Sequence, residues 1–261
     1  MNSYRINFHT HTFKSFDGYN SYKSIYKFSK KVGLDYIAIT DHDTIEGALG
    51  FKKWIDKNEV QDLKVIIGEE ITCTEGIHII GLFLKNHIPS DTVENVVNAI
   101  LNQDALVYFP HPTRKDGILS LKSPNKVIDK GHFYEVFNAK VNDAFNISAQ
   151  ESFLNYNHLI PLAGSDAHYN SDLLKCYCEI ELMPGQPLKE GLLNHAITIN
   201  VFGKKKTTSG NQYFSSYYKY KEKLNLPKFI REIAKVVFPL YKNFKERSRS
   251  YNLEHIFSNA H

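Results

Sequence analysis

Short apolar runs recur along the first 163 residues of the chain, each four to eight residues long and rich in β-branched and aromatic side chains. Runs of this length and composition are typical of β-strands. The pattern therefore predicts seven strands. They cover Tyr4–Phe8, Asp35–Thr40, Lys64–Ile67, Ile77–Leu84, Ala105–Phe109, Phe133–Phe137 and Ile160–Ala163.

Longer segments with apolar residues at helical spacing separate several of these runs. One predicted helix covers Ser21–Val32 and stops at Gly33, a common helix-terminating residue. Two further helices are predicted over Thr44–Asn58 and Asp91–Asn102, and the second has a single apolar stripe. Strand, helix and strand thus alternate, which indicates an α/β protein with a parallel sheet or barrel.

Histidines and carboxylates cluster directly after the predicted strands. In a barrel of parallel strands the active site lies at their carboxyl ends, so residues far apart in sequence meet there. His78 differs, because it stands near the start of its run. The residues that follow strands are His9, His11, Asp41, His42, Asp43, Glu69, Glu70, His111, Asp166 and His168.

Composition and charge divide the chain into two parts. The hydrophobic fraction of 42% and the charged fraction of 23% are ordinary for a globular protein, and single barrels often reach about 250 residues. The net charge of +4 is uneven: residues 203–261 hold 13 Lys and Arg against 4 Asp and Glu, a balance of +9, which leaves −5 for residues 1–202. We therefore predict one globular domain over 1–202 and a basic, aromatic-rich extension over 203–261.

The basic extension contains Lys204, Lys205 and Lys206, several tyrosines, and a predicted amphipathic helix that begins near Pro227 and is interrupted at Pro239. One interpretation is that its apolar face packs on the barrel or on a second subunit, giving a homo-oligomer. The other is a positive arm that binds nucleic acid or an anionic membrane surface. Both stay open at this point.

The chain shows no transmembrane segment, since no stretch approaches the roughly 18 apolar residues that a span requires. Its amino terminus lacks the pattern of a signal peptide, which favours a cytoplasmic location. The three cysteines, Cys73, Cys176 and Cys178, have the spacing of neither a disulfide framework nor a zinc knuckle. We expect Cys176 and Cys178 to be small residues of a strand.

The His9-Thr10-His11 motif is the first indication of metal binding. Alternate residues of a strand point to the same face, so its two imidazoles can hold one ion. The motif gains weight because Thr40-Asp41-His42-Asp43, Gly68-Glu69-Glu70 and Ser165-Asp166-Ala167-His168 stand at the same end of later strands. Mixed imidazole and carboxylate ligands suit Zn, Mn or Fe.

This ordered set resembles the PHP (polymerase and histidinol phosphatase) family, whose motifs are His-x-His, Thr-Asp-His, a Glu after the third strand, His-Pro and a late Asp-x-His. The resemblance implies a distorted (β/α)7 barrel and two or three divalent metal ions. A first ion would be held by His9, His11, Glu70 and Asp166, a second by Asp17, His42 and His168, and a third by Glu70 with His78 and His111.

Several positions are less determined by the resemblance. Glu69 competes with Glu70 for the bridging role, and we favour Glu70 because it matches the family's Gly-x-Glu. Asp43 is expected to position a histidine or relay a proton. Many relatives have Asp where this chain has Asn7, which alters the support of His9 without removing a ligand.

Two residues outside the ligand set are candidates for the substrate pocket. Arg114 stands in a His-Pro-x-Arg pattern similar to that of nucleotide-hydrolysing members, so it is expected to bind a phosphate; a salt bridge with Asp116 is the alternative. Asn138 follows the sixth predicted strand and is expected to line the pocket.

The predicted function is hydrolysis of phosphoesters by a metal-bound hydroxide, without a covalent enzyme intermediate. Small phosphorylated metabolites or nucleotides, histidinol phosphate among them, are the expected substrates. One alternative is an exonuclease that acts on oligonucleotide ends. The other is a non-catalytic assembly module in which metals only stabilise the fold.

Overall fold

A computed structural model of the chain describes residues 1–156 and 158–202, and from residue 203 onward only the backbone of one strand, Leu253–Phe257. The described residues form ten strands, β1 to β10: Asn2–Asn7, Tyr36–Ile39, Lys64–Thr72, His78–Leu82, Leu106–Phe109, Phe133–Asn138, Ile160–Gly164, Cys176–Leu182, Ile197–Phe202 and Leu253–Phe257. In the same part of the chain there are six α-helices, α1 to α6: Tyr22–Val32, Glu46–Lys57, Val93–Asn102, Asn125–Ile128, Asp143–Phe153 and Leu188–Asn194.

All strands join one sheet in the order β10-β9-β8-β1-β2-β3-β4-β5-β6-β7. The pairs β1–β2, β2–β3, β5–β6 and β6–β7 are parallel, whereas β4 is antiparallel to both β3 and β5. Beyond β7, Ala167 bridges in parallel to Thr10, and His11 N donates to Ala167 O at 3.0 Å. The segment that follows β7, an end strand of the sheet, thus meets the segment that follows β1 at the rim, so that β1 to β7 form a nearly closed barrel. The predicted PHP-type distorted barrel is confirmed.

The antiparallel β4 explains the unusual place of His78. The sequence suggested strands of one direction, and on that assumption the start of a strand lies at the end remote from the site. Because β4 returns directly from β3 as a hairpin, with Thr72 opposite His78, its start lies at the same rim as the ends of the parallel strands. His78 therefore reaches the other polar residues.

Local sequence signals set the helix boundaries. Ser21 Oγ accepts the N–H of Ser24 at 3.3 Å and caps α1, which ends at Gly33 with φ of 72°. Thr92 Oγ1 caps α3 in the same way through Asn95 N. The helix predicted from Thr44 begins at Glu46 instead, since Thr44 Oγ1 accepts the N–H of Glu46.

Apolar side chains hold the helices against the sheet. Ile25 of α1 and Phe51 of α2 are fully buried against Ile37 and Ile39 of β2. Burial of side chains of this size contributes about 1.5–3 kcal/mol each. These helices therefore fix the second strand, whose end carries Asp41 and His42.

The strands beyond the predicted seven extend the sheet on one side. β8 pairs antiparallel with β1, β9 with β8, and β10 with β9. Cys176 and Cys178 are buried residues of β8, as their alternation suggested. The helix predicted from Pro227 lies outside the described residues. In the part of the chain that the structure describes, no helix is long and apolar enough to cross a membrane.

Candidate metal centre

The segment after β1 presents two histidines on one face. Thr40 N donates to Thr10 O at 2.8 Å, and His11 N donates to Ala167 O at 3.0 Å, so the chain stays extended past the end of β1. Extended backbone directs alternate side chains to the same side. The rings of His9 and His11 accordingly lie side by side, with centroids 5.1 Å apart.

A first ligand group combines these histidines with two carboxylates. Glu70 Oε2 lies 3.0 Å from His9 Nε2 and 3.2 Å from His11 Nε2. Asp166 Oδ1 lies 3.8 Å and 3.4 Å from the same two nitrogen atoms. All four side chains are buried. Strands 1, 3 and 7 thus bring together the four residues that the resemblance assigned to a first ion.

A second ligand group lies on the other side of His11. Asp17 Oδ2 is 2.6 Å from His168 Nε2 and 3.7 Å from His42 Nε2. The ring of His11 is 4.2 Å from that of His168 and 4.8 Å from that of His42, between centroids. Ligand atoms of these four residues all lie within 4.8 Å of one another. Asp17 therefore belongs to the cluster, although its Asp-Gly pair resembles a turn.

Glu70 joins these groups to a third one. Its Oε1 lies 3.0 Å from His78 Nδ1 and 3.0 Å from His111 Nε2, whereas its Oε2 faces His9 and His11. One carboxylate thus has a different pair of imidazoles at each oxygen. This is the arrangement of a carboxylate that bridges two metal ions.

The residues present fit divalent ions. Ligand atoms bound at about 2.1 Å from one ion lie about 3.0–3.4 Å apart at octahedral to tetrahedral angles, which matches most of the separations above. Among the described residues, His11 Nε2, His11 Nδ1, His42 Nδ1 and His111 Nδ1 are buried and have no hydrogen-bond partner. Buried polar atoms are seldom left unsatisfied, and an ion provides the missing partner of His11 Nε2.

The electrostatics of the cluster favour ionised carboxylates. Burial alone raises the pKa of Glu70, but His42, His9 and other histidines outweigh it and hold that pKa well below its usual value. Against the same effect of burial, His9 and His168 keep the pKa of Asp166 well below its usual range. Burial lowers the pKa of His42 to about 4, so its imidazole is neutral near pH 7. Anionic oxygens and neutral imidazoles are the forms that bind metals, so His9 and His168, whose pKa values the neighbouring carboxylates raise against the effect of burial, would release a proton when an ion binds.

The backbone is strained where the rim carries these side chains. Positive φ angles occur at Asp43 (54°), His111 (29°) and Asp166 (45°), a region that residues other than glycine seldom adopt. Such conformations cost about 1–3 kcal/mol each and cluster at functional sites. Among the described residues, three of the six non-glycine residues with positive φ therefore lie at the rim that carries the ligand groups.

Glu69 and Glu70 point to different places. Glu69 Oε1 lies 2.6 Å from His87 Nδ1, and its Oε2 accepts the N–H of Ile88 at 3.1 Å, away from the ligand groups. Glu70 alone of the two faces the histidine cluster. His87, which has no motif around it, is the partner of the buried Glu69.

Asp43 and Asn138, the two other predicted residues of the rim, form hydrogen bonds with neighbouring protein groups. Asp43 is exposed, and its Oδ1 accepts the N–H of Thr72 at 2.7 Å, a contact that fixes backbone. Asn138 is buried, and its Nδ2 donates to Asp166 Oδ2 at 3.2 Å. Asn138 thus supports a ligand of the first group.

Arg114 lies beside the third ligand group. Its Nη2 donates to Asp116 Oδ2 at 2.6 Å, and Asp116 Oδ1 lies 3.5 Å from His111 Nδ1. Burial opposes its charge, but Asp116, Asp166 and Glu70 raise the pKa of the guanidinium. The side chain of Arg114 is 31% exposed and is paired with Asp116.

Glu135 belongs to none of the sequence motifs described above. It lies in the middle of β6, is fully buried, and contacts His9 Nδ1 at 3.1 Å through Oε1. A carboxylate inside an otherwise apolar strand is a detectable signal, because an isolated buried charge is very unfavourable. Tyr108 likewise donates its hydroxyl to Glu135 Oε1 at 2.5 Å, and no motif marked it.

Nine side chains, histidines and carboxylates together, gather at one rim of the α/β barrel, and their arrangement is compatible with the binding of divalent metal ions. Residues 7–175 match the PHP domain family, and the chain belongs to that family. The matched residues include all nine side chains of the cluster.

Two proteins of Methanocaldococcus jannaschii are similar in sequence. The uncharacterized protein MJ1587 is 43% identical over 91 residues, 34% of this chain and 51% of the relative. The uncharacterized protein MJ0417 is 33% identical over 122 residues, 44% of this chain and 51% of the relative. The aligned part thus spans about half the length of each relative.

Solved structures share the fold at low identity. PsfC from Pseudomonas syringae has a TM-score of 0.60 at 16% identity, over 86% of this chain and 100% of that one. Endonuclease Q, solved with a 27-mer duplex that has an abasic lesion at the active site, has a TM-score of 0.57 at 15% identity, over 76% and 59%. A protein of Bifidobacterium adolescentis proposed to be a metal-dependent phosphoesterase has a TM-score of 0.50 at 15% identity, over 63% and 88%.

Proposed function

We propose that this chain hydrolyses phosphomonoesters of small metabolites or nucleotides with two or three divalent ions of Zn, Mn or Fe. The observation that carries the proposal is the bridging position of Glu70, whose two oxygens each lie 3.0 Å from imidazole nitrogens of different ligand groups. In the proposal His9, His11, Glu70 and Asp166 hold one ion, Asp17, His42 and His168 another, and His78 and His111 share Glu70 for a third.

Bound ions of this kind lower the pKa of a water molecule and neutralise charge on a phosphate. The residues of the protein hold the ligand atoms in place. Glu70, Asp166 and Asp17 supply negative charge in a buried site, while the histidines stay within 4.8 Å of them. No serine or cysteine nucleophile is required, and the three cysteines are buried in the apolar core.

Arg114 is the proposed binding residue for the substrate phosphate. A guanidinium can donate two parallel hydrogen bonds to a phosphate. Asp116 holds Nη2 of Arg114 at 2.6 Å and lies 3.5 Å from His111, so it orients the arginine toward the ligand groups. Asp43, which accepts from Thr72 N, is proposed to hold the loop that carries His42.

The proposal is tested with an aryl phosphate and added metal. We expect hydrolysis by the full chain to stop under a strong chelator and to return with Mn²⁺ or Zn²⁺. A double variant, His9→Ala with Asp166→Ala, is expected to be inactive, whereas Glu69→Gln serves as a buried control off the cluster. Activity that persists in the chelator, or in the double variant, contradicts the proposal. Elemental analysis and a screen of phosphorylated metabolites then define metal and substrate.

An exonuclease is the second candidate, and the basic charge of residues 203–261 favours it. A polyanion that displaces counterions from lysines and arginines binds less tightly as salt rises. Hydrolysis of oligonucleotides that falls steeply between 50 and 200 mM salt, as estimated for several phosphate contacts, supports this candidate. Salt-independent hydrolysis of mononucleotides alone supports the phosphatase.

A further inference from the structure

Glu135 is the one buried carboxylate of β6, and all of its described contacts are with donors. Tyr108 Oη donates to its Oε1 at 2.5 Å, and His9 Nδ1 lies 3.1 Å from the same oxygen. Its Oε2 accepts from the backbone N–H of His111 at 2.5 Å and from Asn138 Nδ2 at 2.9 Å. The carboxylate thus has two partners at each oxygen.

These contacts connect Glu135 to three residues of the ligand groups. It reaches the side chain of His9 directly and the backbone of His111 directly. It reaches Asp166 through Asn138, whose Nδ2 also lies 3.2 Å from Asp166 Oδ2. The carboxylate of Glu135 also packs against Gly164, where any larger residue would clash, because a Cβ added at Gly164 would lie 1.9 Å from Glu135 Oε1.

We propose that Glu135 is a positioning residue that fixes the ring of His9 in the tautomer with its proton on Nδ1. This inference rests on the proposed function, in which His9 binds an ion. An ionised carboxylate can only accept, so the nitrogen that faces it must carry the proton. The lone pair of the ring is then on Nε2, which faces Glu70 at 3.0 Å and Asp166 at 3.8 Å. A partner on the far nitrogen sets ring orientation and the basicity of a ligating histidine.

The variant Glu135→Gln is expected to favour the opposite tautomer of His9 with little change in the shape of the side chain at position 135. His111 N and Asn138 Nδ2 both need an acceptor, so the amide oxygen takes the Oε2 position. The NH₂ group then faces His9 Nδ1 and needs a lone pair there, which moves the ring proton to Nε2. We expect the affinity of the first ligand group for Zn²⁺ to fall about 10–100-fold, the usual effect of losing such a partner.

Glu69→Gln is the matched control. Glu69 is also fully buried, also accepts a backbone N–H, and also lies next to a histidine Nδ1, but that histidine is His87. Both variants remove a buried charge, yet only one of them touches the ligand groups. We expect Glu69→Gln to keep the affinity of the wild-type protein.

The experiment measures Zn²⁺ affinity by competition with a chelator for the full-length protein, Glu135→Gln, Glu69→Gln, His9→Ala and the double variant of Glu135 and His9. If Glu135 acts through His9, the Gln substitution causes no further loss once His9 is Ala. Nitrogen NMR of the zinc-loaded wild-type protein reports the tautomer directly, and we expect the proton on Nδ1 of His9. This second measurement decides the question even where Glu135→Gln does not fold.

The possible results distinguish failure of the proposed function from failure of the inference about Glu135. Wild-type protein that binds no Zn²⁺ overturns the proposed function and this inference with it. Wild-type protein that binds Zn²⁺ while Glu135→Gln binds it equally well overturns the inference alone. So does a full additional loss in the His9→Ala background, or a proton found on Nε2 of His9 in the loaded protein.

Discussion

The bridging position of Glu70 leads to a quantitative expectation for the variant Glu70→Gln. An ion present at 100 times its Kd stabilises a folded protein by about 2.7 kcal/mol. Two ions that share Glu70 therefore contribute about 5 kcal/mol. For a domain of 150–250 residues each kcal/mol raises Tm by about 2–4 °C, so saturating metal raises Tm by about 10–20 °C.

The substitution removes the ligand common to both groups, because Glu70 Oε1 faces His78 and His111 while Oε2 faces His9 and His11. We expect the part of the metal-induced rise that comes from these two ions to fall below about 5 °C in Glu70→Gln, because both ions are lost or weakened. Asp166→Asn, which touches the first group, is expected to keep roughly half of the rise. The measurement is thermal unfolding by circular dichroism, with metal and with chelator.

For each variant, the difference in Tm between the unfolding curves with metal and with chelator separates the stabilisation by metal from any change in the stability of the metal-free protein. Glu69→Gln controls for loss of a neighbouring buried carboxylate and is expected to keep the full rise. A Glu70→Gln variant with an undiminished rise refutes the bridging role. A larger loss in Asp166→Asn than in Glu70→Gln refutes it as well.

Three further variants test other features. Arg114→Ala should lower kcat/KM about 10–100-fold while metal content stays that of the wild-type protein, because the proposed role of Arg114 is to bind phosphate and not an ion. Gly164→Ala should destabilise the protein by about 1–3 kcal/mol, measured by denaturant unfolding, since its Cβ would meet Glu135 Oε1 at 1.9 Å. Deleting the chain after Gly203 should harm solubility more than hydrolysis of an aryl phosphate, because β9 loses its pairing with β10 and becomes an open edge.

A specific result would contradict each of these three predictions. Unchanged kinetics of Arg114→Ala leave only its salt bridge with Asp116. A Gly164→Ala protein as stable as the wild type means that Glu135 moves without cost. A well-behaved truncated protein that has lost only salt-sensitive activity on oligonucleotides promotes the exonuclease.

Much of the fold followed from short-range pattern. The seven predicted runs all form strands, because β-branched and aromatic residues at that density have few alternatives. The antiparallel direction of β4 could not be predicted, because the apolar pattern of a strand is the same whether it runs parallel or antiparallel to its neighbours. Only the short connection between β3 and β4 indicates a hairpin. Glu135 was missed for a related reason: its role depends on His9, which is 126 residues away in sequence. The motifs at the rim placed the candidate ligands because each one directly follows a strand.

The hairpin of β3 and β4 also gives the metal centre an order of assembly. Glu70 and His78 are 8 residues apart, whereas Asp17 and His168 are 151 apart and meet only when the barrel closes. Short loops close in well under a microsecond, and contacts between distant residues form much later. We expect pulsed hydrogen exchange during refolding to protect β3 and β4 before β1 and β7. Glu70 and His78 are then in place before the residues that complete each ligand group arrive.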